Sequence, residues 1–309
     1  MTVCIAARAT NAIVGASDRM LTSADVQFEP SAGTKIVLLT SSMFVMTSGD
    51  AALQAEICSH VLSEITDRIN REPSNWWRVK EAADLYIKYF NEVKNKRAED
   101  AILAPLHLDR HSFIANQQMM APSLVTDLTK ELLNFELPSV SAIFAGFPTG
   151  AHIYTVRNNE ANCLDAVGYA AIGIGSRHAS SQFMFAGHAW NAPFSDTLLL
   201  TYYAKRKSEV APGVGKGTDM VVVGPNLGSL ISVGDHAIAK LDQEYNNITR
   251  SEVAAFNRAK GKIGKYVEEL TRQAQAAGAA SADTQTPSPA DGGASPLNEP
   301  EVPQPSSKN

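Results

Sequence analysis

Two runs in this chain, KIVLLT (35–40) and MVVV (220–223), are apolar at almost every position. A strand of that kind needs cover on both of its faces, unlike a half-exposed strand with alternating polarity. An open sheet with one wet face is therefore excluded. The remainder of the chain has to supply a second sheet, helices, or both.

The periodicity supplies them. TVCIAARA (2–9) and NAIVGAS (11–17) are β-prone and separated by Thr10-Asn11, which predicts a tight hairpin. Residues 19–34 are polar and broken by Pro30 and Gly33, a loop. KIVLLT and MFVMTS (43–48) flank Ser41-Ser42 as a second hairpin. Beyond Asp50 the period becomes helical, with Leu53, Ile57, Val61, Leu62 and Ile65 on one side, Asp50 as N-cap and Pro73 as stop. A second helix is expected from about Asn75 to Lys96, with Trp77, Ala82, Leu85, Tyr86, Tyr89, Phe90 and Val93 on its apolar side. Residues 98–122 read as irregular, and a short helix follows from Ser123 to about Phe135.

Strands resume at 140–147 and 152–157, around Pro148-Thr149-Gly150, and at 169–176, where YAAIGIGS runs into a glycine turn. Helices at 176–188 and 194–210 come next, then a hairpin of 218–225 and 229–233 around Asn226-Leu227-Gly228. Helices at 234–245 and 251–275 end the ordered body. The order is hairpin, hairpin, helix pair, hairpin, helix pair, hairpin, helix. Two packed sheets with helices outside both would cover every strand. No repeat at solenoid periods is evident. The segment from Gly278 holds six of the fifteen prolines among Ala, Ser, Gly and acidic residues, too little apolar surface for a core, so a disordered tail is expected over 278–309.

Composition narrows the function. With 44% hydrophobic and 19% charged residues the chain is of ordinary globular type. No apolar run approaches the ~18 residues of a membrane span, and MTVCIAARAT reads as a strand rather than a secretory signal, so a cytoplasmic location with no membrane partner is expected. The net charge of −5 argues against nucleic acid, although Asp283, Asp291, Glu299 and Glu301 in the tail account for much of it. The cysteines, Cys4, Cys58 and Cys163, are far apart, with no CxxC pair, so neither a disulfide framework nor a thiolate zinc site is indicated.

The chemistry points to the start of the chain. Methionine before a residue as small as threonine is normally removed, which would leave Thr2 at a free N-terminus. Its hydroxyl is then a nucleophile, and its own α-amine, with an ordinary pKa near neutrality, can take the proton. TVCIAARATNAIVGASDR, GTKIVLLTSSMFVMTSGDAA, AIFAGF with HIYTV, YAAIGIGSRHA and GKGTDMVVV together resemble a proteasome-type β-subunit, in particular the bacterial proteasome-like N-terminal-nucleophile threonine hydrolases. The resemblance covers roughly 2–97 and 139–245. It implies an α+β fold, a four-layer αββα sandwich of the N-terminal-nucleophile hydrolase type. A single hydrolase domain is then expected over 2–277, with 98–138 as a longer insertion and 251–277 as a C-terminal helix.

Residue by residue, Thr2 falls on the family's catalytic threonine, Asp18 on its aspartate in a D-R context, Lys35 on its lysine after one extra loop residue, and Gly49 in TSGD on the glycine that donates an oxyanion-hole N–H. Singly these residues read as a strand start, a loop ion pair and a turn; in register they read as a site. The implied activity is hydrolysis of peptide bonds through an acyl-enzyme on Thr2, without cofactor or metal. The implied partners are peptide or unfolded protein as substrate, further copies in a homo-oligomeric ring, and an ATP-dependent unfoldase. Two departures bear on the base. Ile174 stands in Gly173-Ile174-Gly175-Ser176 where the family carries a serine, and APGVGKGTD lacks the family's late aspartate and its S-G-G. A catalytically inactive ring-forming assembly protein and an N-terminal-nucleophile amidase acting on a small molecule, with 98–138 as a roof, are the alternatives.

Other motifs carry less. Gly173-x-Gly175 lacks the third glycine and the βαβ context of a dinucleotide turn, and Gly215-Lys216-Gly217 lacks the upstream spacing of a P-loop; both read as backbone turns. His107 and His111 bracket Asp109 at helical spacing, but the segment is irregular and no third ligand is indicated. Cys4 lies inside a strand and reads as packing. Trp76-Trp77 and Leu85, Tyr89 and Val93 read as a packed helix face or an inter-subunit contact.

Overall fold

The computed structural model describes residues 2–23, 26–30, 34–157 and 159–282. It divides into two compact units, Met1–Tyr245 and Asn246–Asn309. The first holds two five-stranded sheets in which every pairing is antiparallel. Sheet I contains β1 (Cys4–Arg8), β2 (Ile13–Asp18), β10 (Tyr169–Ile172), β11 (Thr218–Val223) and β12 (Leu230–Ser232), in the order β10-β1-β2-β11-β12. Sheet II runs β5 (Ile36–Thr40), β6 (Met43–Gly49), β7 (Val140–Gly146), β8 (His152–Arg157) and β9 (Glu160–Cys163) in simple sequence order. A separate two-stranded ribbon pairs β3 (Leu21–Ser23) with β4 (Val26–Phe28).

Alternation along the strands decides what each face meets. In β1, Cys4 and Ala6 join Phe44, Met46, Ile143, Ala145, Ile153 and Val221 in a core drawn from both sheets. Gly15 of β2 belongs to this layer because a Cβ there would stand 2.7 Å from the ring of Phe44. The other face of β1, with Val3, Ile5 and Ala7, packs on Ala179 and Phe183 of α5 (Ser176–Phe185) and Ala204 of α6 (Phe194–Ser208). Val14 and Ala16 of β2 share that side with Tyr202 of α6. Asp18 continues the series of even-numbered β2 residues. The outer face of sheet II, with Met43, Val45, Ala142 and Phe144, is covered by α1 (Ala51–Arg71) and α2 (Val79–Ala98).

The helix pair is built as the periodicity dictates. Asp50 accepts from the Leu53 amide (2.8 Å) as N-cap, and Leu53, Ile57, Val61 and Ile65 are buried at successive turns. Helix α2 starts at Val79 rather than at Asn75, because Asn75 bonds back to Glu72 and Glu81 accepts from the Arg78 amide as the start of the helix. Trp77 is buried beneath the Arg68 guanidinium, 4.2 Å from its ring centre, whereas Trp76 is exposed.

Several expectations need correction. The loop expected over 19–34 contains the β3–β4 ribbon; residues 24–25 and 31–33 of it lie outside the described residues. The stretch 98–122 is mostly helical: a π-helical turn at Glu99–Leu103, 3-10 turns at Ala104–Leu106 and Gln117–Met119, and α3 (Arg110–Asn116). Together with α4 (Pro122–Asn134) it builds a small core of Leu103, Phe113 and Leu128, which periodicity does not reveal because each helical piece between residues 99 and 119 is shorter than two full turns. Strand β9 is half polar (Glu160, Asn162) and was not anticipated. The two helices expected at 234–245 and 251–275 are one, α7 (Asp235–Ala282), since YNNITR between them is polar but contains neither Gly nor Pro to stop it. Its first turns pack Ile238, Leu241 and Tyr245 against the first unit's Tyr202 cluster. From 251 to 276 every residue of α7 is exposed. The tail expected to be disordered from 278 continues this helix to Ala282, and 283–309 lie outside the described residues. No helix among the described residues is long and apolar enough to cross a membrane.

Candidate active site

Thr2 precedes β1, and its neighbours come from across the fold. Antiparallel pairing of β1 with β2 sets Cys4 opposite Ser17, so Asp18 arrives beside the residues before β1, and the Asp18 amide donates to the Val3 carbonyl (3.2 Å). The Thr2 hydroxyl donates to Oδ1 of Asp18, and the Val3 amide donates to the same oxygen at 2.9 Å. Lys35 immediately precedes β5 in the other sheet. Its Nζ donates to Thr2 Oγ1 (2.5 Å) and to Asp18 Oδ1 (2.8 Å). The second carboxylate oxygen, Oδ2, accepts from the amides of Met20 (3.1 Å) and Gly215 (2.9 Å).

Asp18 is wholly buried, and burial by itself pushes its carboxyl up. The Lys35 ammonium, followed by the bonds from Lys35, Thr2 and the Gly215 amide, outweighs burial and holds the carboxyl below the usual carboxylate range. The group is thus a buried, ionised carboxylate whose direct cation partner among the described residues is Lys35, at its Thr2-facing oxygen. Thr2 itself is 3% exposed. Cys4, two residues further on, is also buried, and burial drives its thiol up to about 12, which leaves it a packing residue bonded to the Thr47 carbonyl (3.5 Å).

The glycine turn after β10 closes around Thr2. Gly173 has φ +88°, and a Cβ on it would lie 2.2 Å from the Thr2 carbonyl oxygen. The Gly175 amide donates to that oxygen (3.3 Å). Only glycine satisfies both the left-handed backbone and the approach at 173. Ile174, between them, is half exposed and offers no hydroxyl.

Gly49 ends β6, opposite Val140, with φ +117°. It lines a cleft of about 220 Å³ with Thr2, Met20, Leu21, Phe28, Lys35, Thr47, Ser48, Ala51 and Gln54. The four residues expected from sequence therefore converge, Thr2, Asp18 and Lys35 by direct bonds and Gly49 along the wall of the same cleft. Gln54 is fixed beneath it by bonds from its amide to the Ser48 and Ser141 carbonyls, and accepts from the buried Tyr86 hydroxyl (2.7 Å). No residue of 98–138 lines this cleft among the described residues. A larger cavity, about 340 Å³ between α2 and β7–β8, contains none of the four.

Sequence reasoning read Gly215 as part of a backbone turn and gave it no role at the site, although its amide reaches Asp18 from 197 positions away. The available signal was the pair of glycines in GKG just ahead of β11, whose first residue pairs with Asp18. His107 and His111 do not share a helix face: His107 sits in a left-handed turn (φ 58°) ahead of α3, and His111 lies within it. Among the described residues no group of three or more His, Cys, Asp and Glu side chains is placed to hold a metal ion.

No protein-family model and no curated protein sequence matches the chain. Among solved structures the chain is similar to Anbu (ancestral beta-subunit) from Yersinia bercovieri, with a TM-score of 0.58 and 13% sequence identity, over 82% of this chain and 96% of that one. At that identity the likeness is one of fold: a mixed α/β architecture of two antiparallel sheets with helices.

Proposed function

We propose that this chain is an N-terminal-nucleophile hydrolase of proteasome type, a threonine peptidase that acts through Thr2 once Met1 is removed. The observation that carries the reading is the bonded set Thr2 Oγ1, Lys35 Nζ and Asp18 Oδ1 at one end of an open cleft. A structural ion pair has no need of a threonine hydroxyl as its third member. The arrangement of the cores, one between the sheets and one outside each, supports the four-layer αββα form of the fold.

In this reading Thr2 Oγ attacks the carbonyl of a peptide bond in the cleft. The Thr2 α-amine accepts the hydroxyl proton and returns it to the departing amine, leaving an acyl ester on Thr2. Water, deprotonated by the same amine, then hydrolyses the ester. The Lys35 ammonium favours the alkoxide character of Oγ during attack, and Asp18 keeps that ammonium aimed. The Gly49 N–H is assigned to the tetrahedral oxyanion, a donor of a kind worth about 10²–10³ in rate. The wall of Met20, Leu21, Phe28 and Ala51 suits an uncharged, apolar side chain next to the scissile bond.

The solved structure of similar fold is named a β-subunit, which supports assembly of this chain with copies of itself. A homo-oligomeric ring in the cytoplasm, fed by an ATP-dependent unfoldase, is the corresponding assembly proposal. Intact mass tests the first step: retained Met1 removes the nucleophile's base. Incubation with a peptide epoxyketone is expected to add one inhibitor mass to the N-terminal peptide of the wild type and none to Thr2→Ala. Equal peptide cleavage by wild type and Thr2→Ala would place the activity elsewhere.

A further inference from the structure

Lys205, in α6, is fully buried, an uncommon place for a lysine. All three of its donors are used: Nζ bonds to Glu209 Oε1 (2.8 Å), the Gly215 carbonyl (3.0 Å) and the Lys216 carbonyl (2.8 Å). Burying a charge is costly unless it is paired and bonded, and an apolar side chain of similar volume would fill the space without that cost. The ammonium therefore calls for a reason beyond packing.

The reason lies in what it holds. The Gly215 residue is gripped from two sides, its carbonyl by Lys205 and its amide by Oδ2 of Asp18 (2.9 Å). Gly217, two residues on, donates its amide to Glu29 Oε1 (2.6 Å), so the 215–217 segment is pinned between α6 on one side and Asp18 at the end of β2 and Glu29 just after β4 on the other. No side chain fits at 215, where a Cβ would stand 2.5 Å from Glu29 Oε1 and 2.9 Å from Met20 Cβ.

We propose that Lys205 is a positioning residue for the Thr2 site: its buried ammonium clamps the 215–216 carbonyls and so presents the Gly215 N–H to Asp18, fixing the carboxylate that aligns Thr2 and Lys35. The charges facing Lys205 are Glu209 and Arg206 on its own helix and Asp18 across from it. Burial pushes the lysine down from its ordinary value, while Glu209 and then Asp18 favour its charged form. The groups facing Asp18 are Thr2, Lys35, Cys4 and the amides already named.

This inference rests on the Thr2 hydrolase reading, and the test separates the two. Epoxyketone labelling of Thr2 is followed by intact mass over time at several probe concentrations, giving a maximal rate and a half-saturating concentration. Lys205→Met is expected to lower the maximal rate about 10–100-fold with half-saturation within about threefold, because geometry at the nucleophile is lost and the cleft is not. In an Asp18→Asn background the same change is expected to cost less than about twofold, since Lys205 acts through that carboxylate. A maximal rate within twofold of wild type, or an equal loss in both backgrounds, overturns the proposal. Should Lys205→Met not fold, Glu209→Gln takes its place. It keeps both carbonyl bonds, and a loss of about 3–10-fold that vanishes with Asp18→Asn is expected; no loss overturns the proposal. Wild-type protein that is never labelled at Thr2 overturns the hydrolase reading instead.

Discussion

Lys35 Nζ stands 2.5 Å from Thr2 Oγ1 and 2.8 Å from Asp18 Oδ1, so one ammonium bridges an alcohol and a carboxylate that already share a hydrogen bond. Lys35 leads into sheet II, whereas Thr2 leads into sheet I and Asp18 ends a strand of it. The contact is therefore a cross-brace between sheets as well as a chemical arrangement.

Removing the brace should show in both roles. Lys35→Met leaves the buried Asp18 charge without its cation, a change of the kind that costs about 3–5 kcal/mol when a pair is fully buried. Lys35 retains some exposure (12%), so about 2–3 kcal/mol is expected in urea unfolding, together with loss of Thr2 labelling. Asp18→Asn combined with Lys35→Met should cost less than the sum of the two single changes. Additive costs would show that the two residues are not energetically paired.

The depressed Asp18 carboxyl sets an acid dependence of fixed sign. Its folded pKa lies below its unfolded one, so its contribution to stability is complete above the unfolded value of about 3.9 and is lost as pH falls through the folded value. Melting temperatures of wild type and Asp18→Asn between pH 7 and pH 3 should differ by a constant amount at the upper end and converge below about pH 4. A gap that widens on acidification would mean the carboxyl is not held below its ordinary range.

Gly173 and Gly187 form a matched pair. Both have positive φ, +88° and +61°, but a Cβ at 173 would meet the Thr2 carbonyl at 2.2 Å, whereas at 187 it would meet nothing within 4 Å. Gly187→Ala is expected to cost about 1–2 kcal/mol of backbone strain and leave Thr2 labelling unchanged. Gly173→Ala should cost more and abolish labelling by displacing Thr2. Equal labelling of the two variants would contradict the placement of the glycine turn.

Beneath the cleft, Tyr86 donates to Gln54, and Gln54 donates to carbonyls in both β6 and β7. Tyr86→Phe removes one donor and leaves a buried acceptor unmet. A loss of about 1–2 kcal/mol in chemical unfolding is expected, with little change in labelling at saturating probe. No measurable loss would show that water reaches Gln54.

Much of this was legible in the sequence because it rests on local rules. Asp50 announces α1, the i, i+4 run from Leu53 to Ile65 sets its buried face, and the apolar run of β11 demands two-sided cover; the run of β5 does not receive it in full, since Leu38 is exposed. Thr2, Asp18, Lys35 and Gly49 were legible only through the family resemblance, which puts all four in register within the first fifty residues; singly they read as a strand start, a loop ion pair and a turn. What was not legible is non-local. Gly215 and Lys205 matter only because β11 pairs with β2 and α6 packs behind it, and nothing in GKG or YYAKRK declares that. The helical pieces of 98–122 escaped because their core of Leu103, Phe113 and Leu128 is assembled between short segments rather than along one.

Strand β2 lies between β1 and β11, so the carboxylate at its end is flanked on one side by the beginning of the chain and on the other by residues made some two-thirds of the way along it. During synthesis Thr2, Asp18, Lys35 and Gly49 emerge early, yet Oδ2 of Asp18 waits for Gly215, and β2 waits for the strand that follows it. Hydrolytic competence, under the function proposed, is thus a property of the finished polypeptide. A product of premature termination ahead of β11 would carry the nucleophile without the alignment needed to use it.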